Sequence, residues 1–278
     1  SPLVGKEVEL AAPDPDNCIK ILSFNVLQTN RDYARTLEVL QREDPDIILL
    51  LETDQKWKDA LAPVIENYPH RSLAPLDNLY GLIMLSRLET SDASIEYLIE
   101  DDTPSVFAQM TTRGGRKFLF MGLHPRPPQP GNDTEQRDAE IAIGAKVAAK
   151  SELPVLATGD FNDVAWSRTS QLFKRIGGYL DPRIGRGTYA TFPAWMPLLR
   201  WPLDHLFISP DFTVADLKVL ENVGSDHRPV TASLCLAPRE AKAMNEKPEK
   251  ADHEDREVAE EAIEDGIEKE ATEGHPDD

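Results

Sequence analysis

Six apolar runs in this chain end or begin in side chains that can coordinate a cation or exchange a proton. They present Asn25 after "ILSF", Glu52 after "DIILLL" and His124 after "FLFMGL". They also present Asp160 and Asn162 in "LATGDFND", Asp204 before "HLFIS", and Asp226 with His227 in "GSDHRPV". Any one of these alone fits a bland role: a turn cap, a loop acid, a histidine satisfied in a turn. Their repetition points to chemistry. In layered α/β folds, strand ends converge on one rim, and ligands collect there. One Glu, three Asp, two Asn and two His on such a rim offer oxygen ligands to a hard divalent cation such as Mg2+ or Mn2+. They also supply acid and base groups.

The elements that must position these residues follow from apolar spacing. Residues 18–26 read as a strand ending at Asn25. "YARTLEVLQR" (33–42) has helical spacing, with Asp32 as its N-cap. "PDIILLLE" (45–52) reads as a strand buried on both faces. "WKDALAPVIENYP" predicts a helix interrupted or restarted at Pro63, and "YGLIMLSR" (80–87) another strand. "PSVFAQMTT" and "KFLFMGLHP" read as a hairpin around "RGGR". A helix is expected over 134–150, capped by Thr134, then the strand "LPVLATGDF", then a helix over "SRTSQLFKRIGG" closed by Gly177. "LDHLFISP" and "RPVTASLCL" are late strands. Many strands with helices at irregular intervals favour mixed sheets over a purely parallel sheet or a (β/α)8 barrel.

Charge narrows the partners. The net charge is −19; residues 239–278 hold 6 Lys/Arg against 16 Asp/Glu, and the other residues 24 against 33. Such a body lacks the basic footprint of a non-specific nucleic-acid binder. An enzyme that meets phosphates through a metal stays open. "RGGRK" (113–117) is the compact basic cluster, placed at a hairpin tip. The acidic tail over 239–278 is expected to be disordered or a frayed, solvated helix, because it has few large apolar residues to bury. Residues 1–17 read as a linker, which leaves open a membrane segment in a longer chain; no apolar run here approaches the ~20 residues of a span. Two cysteines, Cys18 and Cys235, are too few for a zinc cluster. "NDT" (132–134) is a weak match to a glycosylation sequon.

Taken in order, "ILSFNV", "DIILLLE", "GLHPRPP", "GDFND", "LDHLFIS" and "GSDHRPV" resemble the endonuclease/exonuclease/phosphatase superfamily, whose fold is that of deoxyribonuclease I. The resemblance implies an α/β fold over residues 18–238: a four-layer α/β/β/α sandwich of two mixed, mostly antiparallel sheets. "LLLE", "HPRPP" and "GTYATFP…WPLDH" resemble bacterial members whose catalytic domain follows an N-terminal membrane region. That implies a membrane-anchored, extracytoplasmic domain; otherwise a cytoplasmic location is expected.

The implied activity is divalent-metal-dependent hydrolysis of phosphodiester or phosphomonoester bonds. Glu52, Asn25 and Asp226 are the expected metal ligands. Asp160 is the expected base on the attacking water, with Asn162 orienting water or phosphate. His227 would contact the phosphate while Asp204 fixes its ring, and His124 would donate to the phosphate or the leaving oxygen. Arg126, Arg186 and Arg228 are candidate phosphate clamps. Tyr189, Phe192, Trp195 and Trp201 could stack on a base, line an apolar pocket, or serve the core. An endonuclease/exonuclease-type hydrolase leads; a phosphatase for lipid or small phosphoesters is the alternative. A catalytically silent binding module would lack metal or base residues, and here all are present. If the first and last strands of this fold lie antiparallel with Asn25 near His227, Cys18 and Cys235 come close enough for a disulfide.

Overall fold

On the first strand, β1 (Cys18–Asn25), Ile19 and Ile21 face one core while Leu22 and Phe24 face another. This two-sided alternation organises the molecule. A computed structural model describes residues 5–12, 14–127, 134–196 and 199–273; Asn132 of the sequon lies outside them. After β1 come α1 (Tyr33–Glu43), β2 (Ile47–Leu51), α2 (Gln55–Ala60), α3 (Ala62–Ile65), β3 (His70–Ala74), β4 (Leu82–Ser86), β5 (Glu89–Tyr97), β6 (Pro104–Thr111) and β7 (Lys117–Leu123). Then follow α4 (Glu135–Ala149), β8 (Val155–Asp160), α5 (Arg168–Gly177), β9 (Asp204–Ile208), β10 (Phe212–Val219), β11 (Val230–Leu236), α6 (Pro238–Met244) and α7 (His253–Glu273).

One sheet has the order β10-β11-β1-β2-β4-β3 and the other β5-β6-β7-β8-β9. Only β1–β2 and β7–β8 pair in parallel; the remaining pairs are antiparallel. Ile21, Leu49, Met84, Val106, Phe120 and Leu156 belong to the core that joins the inner faces. Trp57, Val39 and Leu61 from α1–α3 cover the outer face of the first sheet. Ile141, Ala145 and Phe173 from α4 and α5 cover that of the second. The result is the expected α/β/β/α sandwich.

The same alternation brings the chemical side chains inward. On β8, Leu156 is an inner-core residue and Ala157 an outer one. Asp160 therefore continues the inner row, and Phe161 joins the outer core, fully buried. On β9, Leu206 and Ile208 face inward, which puts Asp204 in that row. Gly159 has φ 147, and a Cβ there would lie 1.9 Å from Leu123 O. Its need for glycine comes from the neighbouring strand.

Several expectations are corrected. Strands β3, β5 and β10, three of the four sheet edges, lie outside the expected strands, because each leaves several side chains partly or fully exposed and so lacks a long apolar run; the fourth edge, β9, is buried throughout. Gly178 (φ 64), not Gly177, closes α5. Thr134 holds the N-cap position of α4 but makes no cap bond; its hydroxyl donates to Asp138 Oδ2 instead (2.6 Å). The basic hairpin tip is turned into the fold: Arg113 pairs with Asp46, and Arg116 donates to Leu236 O. The linker-like start lies along β10, with Val8 fully buried and Ala11 N–H donating to Val214 O (2.8 Å).

The acidic tail is also ordered over α7, which packs on α4 and α5. Gly266 and Ala139 let the helices approach closely: a Cβ on Gly266 would lie 2.3 Å from Ala139 Cβ. Ala259, fully buried, meets Ala142 and Leu172. Asp255 binds Arg175 through two bonds (2.8 and 2.6 Å). Val258 and Ile263 also pack against this cluster, so a few apolar contacts, small residues and an ion pair hold a helix that composition reads as disordered or solvated. Among the described residues, no helix is long and apolar enough to cross a membrane.

Cys18 and Cys235 face each other in the β1–β11 register and form a disulfide, their Cα atoms 3.9 Å apart.

On the buried face of α4, Glu140 accepts a hydrogen bond from Ser105 Oγ (3.1 Å). Burial pushes its pKa from 4.5 up to about 8. The folded state thus holds a proton that the unfolded chain releases, and stability falls as pH rises from about 4.5 to about 8. Glu140→Gln keeps the acceptor and removes this loss. The variant is expected to gain about 1–3 kcal/mol at pH 8, a rise in Tm of roughly 2–8 °C, and almost nothing at pH 5. Thermal unfolding at the two pH values checks this; equal shifts at both would contradict it.

Candidate active site

At one end of the sandwich the inner rows of β1, β7, β8 and β9 run out together. The pocket there holds about 390 Å3 and is lined by Glu52, His124, Asp160, Asn162, Asp226 and His227, with Tyr80 and Phe192 as aromatic walls. No Lys or Arg is among its described lining residues. Asn25 and Asp204 stand just behind this lining through their bonds to it.

Asp160 is the hub. It is buried, and its Oδ1 accepts the Asn162 N–H (2.9 Å). Its Oδ2 accepts from Asn25 Nδ2 (3.1 Å) and lies 3.4 Å from His227 Nε2 and 3.9 Å from His124 Nε2. His227 Nδ1 meets Asp204 Oδ2 at 2.8 Å. Burial alone would lower the His227 pKa, but the Asp204 and Asp160 carboxylates outweigh it and push the pKa up to about 10. This ring is an imidazolium held between two carboxylates. His124 is the opposite case: burial takes it down to about 4, so it is neutral. Its Nδ1 is buried without a hydrogen-bond partner.

Glu52 sits one residue past β2 with φ 59, and Asn162 has φ 49. Asn tolerates left-handed backbone; for Glu it is a strained conformation of the kind that clusters at functional sites. Glu52 accepts from Asn25 Nδ2 (2.7 Å) and from Gln28 N–H (3.2 Å). Burial, with Asp160 and Asp226 nearby, pushes its carboxyl up to about 7. Carboxylates in a pocket whose described lining has no Lys or Arg, and whose one charged ring is already held by Asp160 and Asp204, suit a hard divalent ion, so Glu52 and Asp226 fit one. Asp160, Asp204 and His227 also lie within 4.8 Å of one another. Their protonated, doubly paired imidazole makes that trio a hydrogen-bonded relay instead.

Local turns hold the parts in place. Ser225 Oγ donates to Asn25 O (2.7 Å) and accepts His227 N–H (3.0 Å), which ties the 225–227 turn to β1. Ala194 N–H donates to Asp226 O (2.7 Å), and Phe192 packs on the His227 ring, centroids 4.9 Å apart.

The sequence profile of the Endonuclease/Exonuclease/phosphatase family matches residues 22–227. The chain belongs to this family. Among solved structures, it is 20% identical to an endonuclease/exonuclease/phosphatase family protein from Bacteroides thetaiotaomicron, with TM-score 0.63 over 78% of this chain and 97% of that one. It is 19% identical to D. rerio TDP2 complexed with single strand DNA product, with TM-score 0.65 over 79% and 99%. A mannosyl-6-phosphatase from Bacteroides thetaiotaomicron is 20% identical, with TM-score 0.55 over 78% and 99%. At these identities the likeness is one of fold. No curated protein matches. These findings support the superfamily but not the membrane-linked grouping.

Within the family fold, the structure brings Asn25, Glu52, His124, Asp160, Asn162, Asp204, Asp226 and His227 together and leaves the three arginines out. Arg126 is spent on acids: its Nε lies 2.6 Å from Glu100 Oε1 and its Nη2 2.5 Å from Asp102 Oδ1. Arg186 donates to Pro182 O and Val8 O, tying down the N-terminal segment. Arg228 lines a neighbouring cavity. Asn25 differs from expectation too. Its amide N–H, not its oxygen, meets the carboxylates, while Oδ1 accepts Leu27 N–H (3.0 Å). Asn162 braces Asp160 through its backbone and donates its amide to Pro125 O (2.9 Å).

Residues not anticipated support the Asp160 turn from behind. His205 Nε2 meets Asp163 O (2.8 Å), and its Nδ1 takes a bond from Arg183, which chelates Asp181. Burial, then Arg183, takes His205 down to about 3, so it is a neutral strut. Asp163 accepts from Ser170 Oγ (3.0 Å) and from Ser167, anchoring the turn to α5. The inward–outward alternation of "LDHLF" was the signal for His205: it sits on the face opposite Asp204.

Proposed function

We propose that the chain is a divalent-metal-dependent phosphoesterase in which Asp160 activates the attacking water. The observation that carries this reading is the Asp160–His227–Asp204 relay opening into the same pocket as Glu52 and Asp226. Glu52 and Asp226 would hold Mg2+ or Mn2+, with Asn25 fixing the Glu52 rotamer. When bound, the metal neutralises the non-bridging phosphate oxygens and the leaving oxyanion. Asp160 takes the proton of the water, its carboxylate aimed by Asn162 N–H and Asn25. His227, kept charged by Asp204 and facing Asp160 through Nε2, would place its positive ring against the phosphate. Neutral His124 donates an N–H to the leaving oxygen.

An endonuclease/exonuclease-type reaction on nucleic acid is the leading substrate reading, supported by the likeness to a TDP2 solved with single strand DNA product. A phosphatase acting on small or lipid phosphoesters is the second, supported by the mannosyl-6-phosphatase of the same fold. The Cys18–Cys235 bond supports an oxidising compartment. The test is hydrolysis of a simple phosphodiester by the full chain with and without divalent metal.

A further inference from the structure

Beside the pocket runs a groove whose character is opposite to the acidic body around it. A cavity of about 510 Å3 is walled by Arg200, Arg228, Lys218, Thr188 and Tyr189, and no acid lines it. A second cavity of about 210 Å3 shares Arg200, Thr188 and Gly187 with it and extends to Trp166. Through these shared residues the two adjoin as one groove, whose second part is also lined by Asp181, an acid chelated by Arg183.

Chain connectivity sets its distance from the site. Asp226 and His227 line the pocket and Arg228 lines the groove, and successive Cα atoms are about 3.8 Å apart. The groove therefore begins within a nucleotide or two of the pocket. Arg228 Nε is buried without a hydrogen-bond partner. Glu221, an acid that acts on Arg228, is already held by Arg42 through two bonds (2.6 and 3.0 Å). Lys218 is 60% exposed and paired with Asp216. Aromatic faces alternate with these cations. Trp166, on the second cavity, is 66% exposed, and Tyr189 holds a left-handed φ of 42° at the wall of the first.

We infer that this groove binds single-stranded polynucleotide, its arginines taking phosphates that flank the one in the pocket and its exposed aromatics stacking bases. The inference rests on the phosphoesterase reading for its choice of substrate. A few cations interleaved with aromatics suit a single strand, in which every base offers a face. A duplex would need the broad basic footprint that this chain lacks.

The test is fluorescence anisotropy of a labelled oligo-dT with the full chain in EDTA, across a salt series. The expected result is that Arg200→Gln/Arg228→Gln binds at least tenfold more weakly, with the slope of log K against log salt reduced by about 1.4, the value for two contacts on a single strand. Thermal unfolding checks that the variant is folded. Trp166→Ala, at an exposed position, is expected to weaken binding at least fivefold with the salt slope unchanged. Wild-type affinity and slope in both variants would overturn the inference. So would binding to anionic vesicles but not to the oligonucleotide. Because EDTA blocks turnover, failure of the phosphoesterase reading appears separately, as absent hydrolysis alongside intact, arginine-dependent binding.

Discussion

Asp160→Asn is expected to lower kcat on a phosphodiester by about 10³- to 10⁴-fold, or roughly 4–5.5 kcal/mol, with a small change in KM. The amide is the same size and keeps an oxygen for the Asn162 N–H, the 2.9 Å bond that aims the side chain. It cannot accept a proton from water. Its nitrogen would also face the Asn25 amide and the His227 ring, both donors in the native site. That mismatch is expected to cost about 1–3 kcal/mol of stability. Steady-state kinetics beside thermal unfolding separates the two effects. A kcat within tenfold of wild type would remove Asp160 from the role of base.

Replacing both cysteines by alanine is expected to destabilise the fold by about 2–5 kcal/mol. The bond closes a loop with a sequence separation of 217, and loop-closure entropy alone gives about 5 kcal/mol for that length. Backbone pairing of β1 with β11 persists without it, because Cys18 and Cys235 are only one rung of a register that runs to Ser23 and Val230. Activity should persist in the folded variant. Cys18 and Asn25 stand at opposite ends of β1, separated by roughly 23 Å at the usual strand rise. Urea unfolding with and without reductant measures the loss. Coincident midpoints, or a folded variant without activity, would contradict this account.

Much of the rim could be read from residue order because strand ends are local events. A continuous apolar run such as "DIILLL" must be buried, so the Glu52 that follows it marks where the chain leaves the core. Alternation told the two faces of β8 apart and put Phe161 opposite Asp160. What stayed hidden depends on long-range pairing. Arg126 and Arg228 are alike in sequence, one two residues after a histidine and the other directly after one, both near a strand end. Only the arrival of Glu100 and Asp102 makes one a structural ion pair. A helix is one of the two expectations for the tail, but the packing of α7 escaped notice because its contacts are an alanine, a glycine, the partly buried Val258 and Ile263 and scattered charges, a pattern that composition alone reads as solvated. Strands β3, β5 and β10 escaped for a related reason: their exposed side chains dilute the apolar signal.

The most direct measurement is hydrolysis of bis-p-nitrophenyl phosphate by the full chain in EDTA and then in Mg2+ or Mn2+, with Glu52→Gln alongside. The variant keeps the side-chain shape but removes the carboxylate that burial holds at a pKa of about 7. The account predicts no turnover in EDTA and turnover restored by the cation in the wild type. It also predicts that Glu52→Gln needs at least tenfold more metal to reach half its maximal rate. Equal rates with and without metal, or an unchanged metal requirement in Glu52→Gln, would contradict it.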